Sequence, residues 1–372
     1  MTNEQQHPAN RLQALRQAGQ SVWLDFLRRG LITGGGLAGL IRHDGVTGVT
    51  SNPTIFARAI GESADYDEAI GRIAARGGAS AIDVFYDLAL ADVRMAADLF
   101  RPVYDETDGK DGFVSFELEA RLARDAEGSI AAALGLVERI GRPNVMIKVP
   151  GTAEGVPVVE ELTAAGVNVN ITLLFDTGMY QQVARAYLAG LERRLAAGQP
   201  VDRVASVASF FVSRIDTVVD APLPDGSPLR GRVAIANAKA AYRHFQRLFS
   251  GDRWARLAGA GARAQRPLWA STGTKNPAYS DVVYLEDLVG RDTVTTVPEA
   301  TLDAFRDHGR VRPEAVLERL EAADDALGRL PHYGIDLAEV TAQLLDDGLA
   351  AFDADLAKVV HTIEVRLEQA GP

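Results

Sequence analysis

Short apolar runs alternate along the chain with longer segments in which apolar residues recur every three or four positions. Eight of the runs have the length and the β-branched content of strands, at residues 21–26, 45–52, 113–118, 145–151, 167–174, 204–215, 267–272 and 293–297. Each is followed by a segment with helical periodicity, and no low-complexity linker interrupts the series. The pattern predicts a single α/β domain over residues 1–372, folded as a (β/α)8 TIM barrel.

The chain is longer than eight such units need, and the excess is predicted to be helical. We expect the barrel core at about residues 20–298 and a C-terminal helical region at about 299–372. Further helices are expected before the first strand, between the second and third strands, and between the sixth and seventh. The tract 105–112 holds four acidic residues and two glycines, which is typical of a solvated turn.

The fourth predicted strand, Val-Met-Ile-Lys-Val-Pro-Gly, contains a lysine in an otherwise apolar run. Strand alternation places Lys148 on the same face as Met146 and Pro150. Burial of an unpaired ammonium is costly and favours the neutral amine, which is a nucleophile that forms Schiff bases with carbonyl compounds. A lysine whose stem crosses the core, or one paired with a carboxylate, would give the same pattern. This strand alone does not decide between these interpretations.

The ends of the other strands favour the catalytic interpretation. Barrel enzymes build their active sites from residues at the C-terminal ends of the strands. Polar residues at nearly every strand end would be unusual in a rim without a function. The candidates are Asp25, Asn52, Glu117, Lys148, Asn170, Thr172, Ser209, Arg214, Ser271 and Lys275.

The composition of the chain argues against several classes of partner and of site. The formal net charge is −11, which disfavours nucleic acid or an anionic membrane as a partner but permits a local basic pocket. There is no cysteine, and the six histidines are too scattered for ligand spacing, so we expect no thiolate chemistry and no metal site. Residues 1–20 lack the apolar core of a signal peptide, and no run is long enough to span a bilayer. These features favour a cytoplasmic protein.

Four segments resemble signature segments of the transaldolase family, in its longer bacterial form. They read Gly-Val-Thr-Ser-Asn-Pro-Thr-Ile-Phe at 48–56, Met-Ile-Lys-Val-Pro-Gly-Thr at 146–152, Asn-Val-Asn-Ile-Thr-Leu-Leu-Phe at 168–175 and Leu-Trp-Ala-Ser-Thr-Gly-Thr-Lys-Asn-Pro-Ala-Tyr at 268–279. The resemblance implies a cofactor-free, Schiff-base barrel enzyme of the pentose phosphate pathway, and a homodimer is compatible with it. Such an enzyme transfers dihydroxyacetone from sedoheptulose 7-phosphate to glyceraldehyde 3-phosphate, giving erythrose 4-phosphate and fructose 6-phosphate.

The resemblance also assigns a role to each candidate. Lys148 corresponds to the Schiff-base lysine, and Asp25 to the acid/base on the sugar hydroxyl. Glu117 and Thr172 correspond to the pair that holds a water during carbinolamine formation and hydrolysis. The sugar would contact Asn52, Asn170, Ser209 and Phe211, and its phosphate would contact Arg214, Ser271 and Lys275.

Each role has a simpler structural alternative, and the phosphate loop departs from the family pattern. Asp25 could cap a helix or turn, and Glu117 could be a plain ion pair with Lys148. The amides and Ser209 could be satisfied core residues, Arg214 a surface ion pair, and Lys275 a solvated loop residue. Gly273 stands where the resemblance leads us to expect serine, and Lys275 stands where shorter members have arginine.

Three other functions compete with the transferase. They are a fructose 6-phosphate aldolase, a lysine-based pyridoxal phosphate barrel enzyme and an inactive sugar-phosphate-binding barrel. The related aldolases are shorter, and tend to have glutamine and tyrosine where this chain has Glu117 and Phe211. The presence of Lys148, Glu117 and Asp25 argues against an inactive barrel.

Overall fold

The computed structural model describes residues 10–370. Eight parallel strands form a closed barrel in the order of the chain, and β1 pairs with β8 to close it. The strands are β1 (Gln20–Leu24), β2 (Gly48–Thr50), β3 (Phe113–Glu117), β4 (Val145–Pro150), β5 (Val169–Leu174), β6 (Ser206–Phe211), β7 (Arg266–Ala270) and β8 (Thr293–Val297). This confirms the predicted fold. The expectation of no signal peptide falls partly on residues 1–9, outside the described range.

Helices connect the strands and extend both ends of the barrel. They are α1 (Arg11–Gln17), α2 (Arg29–Thr33), α3 (Gly36–Gly39), α4 (Pro53–Gly61), α5 (Asp67–Ala74), α6 (Ala81–Glu106), α7 (Ala126–Ile140), α8 (Gly155–Ala165), α9 (Thr177–Ala196), α10 (Ser213–Val219), α11 (Val233–Leu248), α12 (Gly251–Gly259), α13 (Val283–Asp287), α14 (Glu299–His308), α15 (Leu320–Gly328) and α16 (Leu337–Gln369). One π-helical segment (Leu40–Asp44) and four short 3-10 segments (Ala64–Tyr66, Ala120–Leu122, Ala315–Leu317 and Leu330–Tyr333) complete the set. The predicted extra helices are therefore present.

Local sequence explains where several helices begin and end. Asp125, Asp176 and Asp336 lie at the N-terminal caps of α7, α9 and α16, where each carboxylate accepts backbone N–H groups. Gly141 and Gly166 follow α7 and α8 in the left-handed conformation, which glycine adopts without steric cost. These signals explain the ends of the four helices.

The sixth strand is shorter than predicted. The expected strand 204–215 ends at Phe211, and the chain turns into α10 at Ser213. Val212, Ile215 and Val219 are fully buried at helical spacing, a pattern hidden in what reads as one continuous apolar run. Arg214 therefore lies in the first turn of a helix and not on a strand.

The tract 105–112 is not simply a solvated turn. The helix α6 continues to Glu106, and Asp111 is buried at the opposite end of the barrel from the strand C-termini. Its carboxylate accepts hydrogen bonds from Ser21 and from the Trp23 indole (2.8 Å) and lies 3.3 Å from Arg266. A buried partner of opposite charge explains why this aspartate does not face water.

The C-terminal helix α16 packs across the barrel mouth against α4, α5, α6 and α10. Its Gly348 lies against Leu173 and Arg214, and a β-carbon there would come within 2.8 Å of the Leu173 side chain. Phe352, one turn further along, is buried. Within residues 10–370, no helix has both the length and the apolarity needed to cross a membrane.

Candidate active site

A cavity of about 290 Å³ opens at the C-terminal ends of the strands. It brings together nine of the eleven residues predicted from the sequence: Asp25, Asn52, Lys148, Thr172, Ser209, Phe211, Arg214, Ser271 and Lys275. The other two, Glu117 and Asn170, do not line it but hydrogen bond to residues that do. The polar residues predicted at the strand ends therefore surround one cavity, and Lys148 lies in its wall.

Lys148 and Glu117 form a buried ion pair. Parallel pairing of β3 and β4 aligns the two residues, and Lys148 Nζ donates to Glu117 Oε2 at 2.8 Å and to the Ser51 carbonyl at 3.2 Å. Their side chains are only 5% and 3% exposed. The ion pair that was one alternative for Glu117 is present, and it leaves Lys148 in contact with the cavity.

Two oxygen atoms near this pair have no hydrogen-bond partner among the described residues. They are Glu117 Oε1 and Thr172 Oγ1, and both are buried. Burial raises the pKa of Glu117, while the positive charge of Lys148 opposes the rise. A carboxyl group with a raised pKa and an unused oxygen is suited to proton transfer.

Asp25 follows β1 and lines the cavity. Thr50, at the end of β2, donates its hydroxyl to Asp25 Oδ1 at 2.9 Å. The alternative role as a helix cap does not apply to α2, which begins after Arg28. The carboxylate is therefore held by a strand-end neighbour and directed at the cavity.

The three polar residues predicted to bind the sugar differ in their hydrogen bonds and in their contact with the cavity. Asn52 accepts the Ile55 N–H at 2.8 Å as the cap of α4, with Pro53 as the first helical residue. Ser209 donates to Asn170 Oδ1 at 2.6 Å. Asn170 also donates to Ser115 Oγ at 3.0 Å and is fully buried. Asn170 thus orients Ser209 from below the cavity, whereas Asn52 and Ser209 line it.

Three cationic side chains lie at the outer part of the cavity: Arg214, Lys275 and Arg58. Among residues 10–370, none of the three forms an ion pair within 4 Å. Burial lowers the pKa of Arg214, against the opposing effect of Asp25 and Glu117, but a guanidinium stays charged at neutral pH. In a protein of net charge −11, this cluster is a local region of positive charge that can attract an anion.

Ser271 connects the loop that follows β7 to the start of α10. Ser213 N donates to the Ser271 carbonyl at 3.1 Å, and the two hydroxyls are 3.0 Å apart. Gly273 lines the cavity two residues further on. The predicted loop residues and Arg214 therefore belong to one connected wall.

Sequence reasoning missed several residues of the cavity, among them Arg58 and Phe352. Arg58 comes from the second turn of α4, and Phe352 comes from α16. An arginine between alanines in a helix that starts at a strand end was a usable signal for Arg58. No signal in the sequence pointed to Phe352, because its position depends on how α16 packs over the barrel.

A second cavity, of about 300 Å³, lies between α11 and α15. It contains another buried lysine, Lys239, whose amine donates to the carbonyls of Ala315 (3.0 Å) and Glu318 (2.6 Å). Arg312 at its rim is paired with Asp287 and Glu318. Lys239 and Arg312 are thus already bonded to groups of the protein itself. The cavity at the C-terminal ends of the strands is therefore the better candidate for an active site. Residues 10–370 contain no cluster of histidine and carboxylate side chains suited to a metal ion.

The chain is similar to proteins of one known family over most of its length. Residues 22–363 match the family described as Transaldolase/Fructose-6-phosphate aldolase. The chain is 47% identical to the Transaldolase of Saccharopolyspora erythraea over 96% of this chain and 98% of that protein. It is 46% identical to the Transaldolase of Thermobifida fusca (92% and 94%) and 40% identical to that of Trichodesmium erythraeum (98% and 99%). The chain belongs to the transaldolase/fructose-6-phosphate aldolase family.

Proposed function

We propose that the protein is a transaldolase that moves a dihydroxyacetone unit between sugar phosphates through a Schiff base on Lys148. The observation that carries this proposal is the buried Lys148–Glu117 pair in the wall of a cavity that also has a cationic rim. The family relatives named Transaldolase support the same activity. The donor is sedoheptulose 7-phosphate or, in the reverse direction, fructose 6-phosphate.

The first stage is covalent. The neutral amine of Lys148 attacks the C2 carbonyl of the ketose, and loss of water from the carbinolamine gives an iminium ion. Glu117 Oε1 and Thr172 Oγ1, which have no hydrogen-bond partner within residues 10–370, would hold that water. Glu117 accepts the proton from the Lys148 ammonium as the amine is released for attack, a transfer that its raised pKa favours.

The second stage breaks and remakes a carbon–carbon bond. Asp25 removes the proton from the C4 hydroxyl, the C3–C4 bond breaks, and its electron pair passes to the iminium nitrogen to give an enamine. The shortened aldose leaves, and an acceptor aldehyde takes its place. The enamine carbon then attacks the acceptor carbonyl, Asp25 returns its proton to the new alkoxide, and hydrolysis frees Lys148.

The cationic rim would bind the phosphate of donor and acceptor. Arg214, Lys275 and Arg58 can neutralise a phosphate dianion that lies beyond the reacting carbons. We assign the reaction to the cytoplasm because its sugar phosphate substrates are metabolites of that compartment.

Retention of the enamine separates a transferase from an aldolase. Phe211 lines the cavity and packs against Phe175, with ring centroids 5.4 Å apart. An aromatic ring without a hydroxyl offers no proton to the enamine carbon. The related aldolases tend to have tyrosine and glutamine at the positions of Phe211 and Glu117. Phe211 and Glu117 therefore favour transfer over release of dihydroxyacetone.

The test is reductive trapping with a second buried lysine as the internal control. We expect borohydride with fructose 6-phosphate to add one reduced dihydroxyacetone unit to Lys148 and none to Lys239, which is also buried. Peptide mass mapping reads both sites. An adduct on Lys239, or none on Lys148, would contradict the Schiff-base assignment.

An activity assay tests the reaction itself. Fructose 6-phosphate with erythrose 4-phosphate should give glyceraldehyde 3-phosphate, measured with a coupled dehydrogenase, and Lys148→Ala should abolish this. A Lys239→Ala variant controls for the loss of a buried lysine and should retain activity. Release of free dihydroxyacetone as fast as transfer would identify an aldolase and overturn the proposal.

A further inference from the structure

The loop that carries Lys275 is tied to the body of the protein at one half-buried side chain. From Lys275 to Ser280, only Tyr279 is not exposed. Its hydroxyl donates to Asp220 Oδ2 at 2.6 Å. Within the loop, Thr274 Oγ1 donates to the Ser280 carbonyl at 3.0 Å and Tyr279 N donates to the Asn276 carbonyl at 3.1 Å. These two bonds stiffen the loop, whereas the Tyr279 hydroxyl fixes it to another element.

The Tyr279 side chain packs against Gly231 and Asp220. The aromatic ring lies over Gly231, where a β-carbon would come within 2.9 Å of the ring. Gly231 has a φ of 67° and donates its N–H to both oxygens of Asp220, at 3.1 and 3.3 Å. Asp220 is 8% exposed. Burial, followed by the bond to Asp220, raises the pKa of Tyr279 to about 12, so the tyrosine stays a donor at neutral pH.

Asp220 also connects Tyr279 to Arg214, another cation of the rim. It follows the last residue of α10, and Arg214 lies in the first turn of the same helix. Six residues of α-helix correspond to roughly 9 Å of rigid spacing. The helix thus holds Arg214 at one end, and through Asp220 and Tyr279 it holds the Lys275 loop at the other.

We propose that Tyr279 and Asp220 are positioning residues that fix the distance between Lys275 and Arg214, and so set the preference for phosphorylated over unphosphorylated substrates. The proposal rests on the proposed function, because it takes the cationic rim to be the phosphate site. A loop without this bond samples more positions, and ordering it again on phosphate binding costs conformational entropy.

The test uses a pair of acceptors that differ only in phosphate, erythrose 4-phosphate and erythrose, at saturating fructose 6-phosphate. Tyr279→Phe should lower the ratio of kcat/KM for the two acceptors by roughly three- to tenfold. This is less than the full value of a hydrogen bond to a carboxylate, because the bond acts on the phosphate only through the order of the loop. Asp220→Asn should shift the ratio in the same direction. The change should appear in KM for erythrose 4-phosphate and leave kcat with erythrose nearly unaltered.

Tyr284→Phe is the matched control. Tyr284 donates to Asp216 on the same helix at 2.8 Å but lies outside the loop. Its loss should reduce stability without changing the acceptor ratio. An unchanged ratio in Tyr279→Phe, or an equal change in Tyr284→Phe, would overturn the positioning role.

Calorimetric titration with inorganic phosphate separates this proposal from the proposed function. Wild-type protein should bind phosphate several-fold more tightly than Tyr279→Phe. If wild-type protein binds phosphate more tightly than Tyr279→Phe but transfers no dihydroxyacetone, the transaldolase proposal fails and the positioning role stands. If wild-type protein transfers normally but both proteins bind phosphate equally, the positioning role fails and the function stands.

Discussion

The Arg214 guanidinium lies over the ring of Phe211, 5.3 Å from its centroid. The contact joins the residue that we expect to protect the enamine to a residue that we expect to bind phosphate. A cation held on a ring face keeps an ordered position without an ion-pair partner. Substitutions at these two positions should nevertheless have different effects, because the chemistry of each side chain is different.

Phe211→Tyr should increase the release of free dihydroxyacetone from fructose 6-phosphate when no acceptor is present. The added hydroxyl can orient a water or donate a proton to the enamine carbon. Transfer to erythrose 4-phosphate should fall at the same time. Phe211→Leu, which disturbs packing but adds no proton donor, is the control; equal release from both variants would show that packing is the cause.

Arg214→Ala should raise KM for erythrose 4-phosphate by about ten- to a hundredfold, since loss of a partly desolvated charged contact costs roughly 2 kcal/mol or more. The effect on erythrose should be much smaller. Steady-state kinetics with both acceptors measures the difference. Arg121→Ala removes an exposed arginine paired with Glu119 and should change neither value. Equal losses with both acceptors would make Arg214 a structural residue.

Gly273→Ser should improve phosphate binding. A β-carbon at this position would lie 3.4 Å from Pro298 and 3.5 Å from Thr301, which are ordinary contacts. The serine hydroxyl adds a donor to the cavity wall, and one hydrogen bond to a charged group corresponds to a gain of roughly ten- to a hundredfold in affinity. Inhibition by inorganic phosphate measures it. Gly273→Ala fills the same space without a donor, and an equal gain there would contradict the prediction.

Asp216 should make the stability of the protein depend on pH. Burial raises the pKa of Asp216 to about 6, from an ordinary value of 3.8, although Ala234 N and the Tyr284 hydroxyl both donate to it. The native state therefore holds this proton more tightly than the unfolded chain does. Its stabilising contribution is complete below about pH 4 and is lost as the pH rises through about 6.

Asp216→Asn isolates this effect. The free energy of unfolding of the wild type relative to the variant should fall by about 2 to 3 kcal/mol between pH 4 and pH 7. Urea unfolding at several pH values measures the difference. Asp225→Asn removes a fully exposed carboxylate paired with Arg230 and is the control for the loss of a surface charge. A difference that rises with pH for Asp216→Asn would show that this carboxyl is charged in the native state throughout.

The parts of the site that lie on strands could be predicted from the sequence. Strand alternation places Glu117, Lys148 and Asn170 on the inner face, and parallel pairing brings them side by side. The barrel pattern then fixes which end they occupy. That Asn170 supports Ser209 from below could not be predicted, because a hydrogen-bond network depends on side-chain depth.

The parts that depend on helix packing could not be predicted. Arg58 and Phe352 reach the cavity because of the angles at which α4 and α16 cross the barrel, and helical periodicity gives a buried face but no crossing angle. Asp111 was misplaced for a similar reason. Its partner, Arg266, is distant in the sequence. The composition of residues 105–112 alone therefore could not predict that Asp111 is buried in an ion pair.

The position of α16 over the barrel mouth has a consequence for synthesis of the protein. The cavity uses Asp25 from the first strand and Phe352 from the last helix, so a nascent chain has no complete cavity until nearly all of it has left the ribosome. Until then Lys148 lacks part of the wall that surrounds it in the folded protein. The order of translation thus leaves the cavity incomplete until the polypeptide is nearly finished.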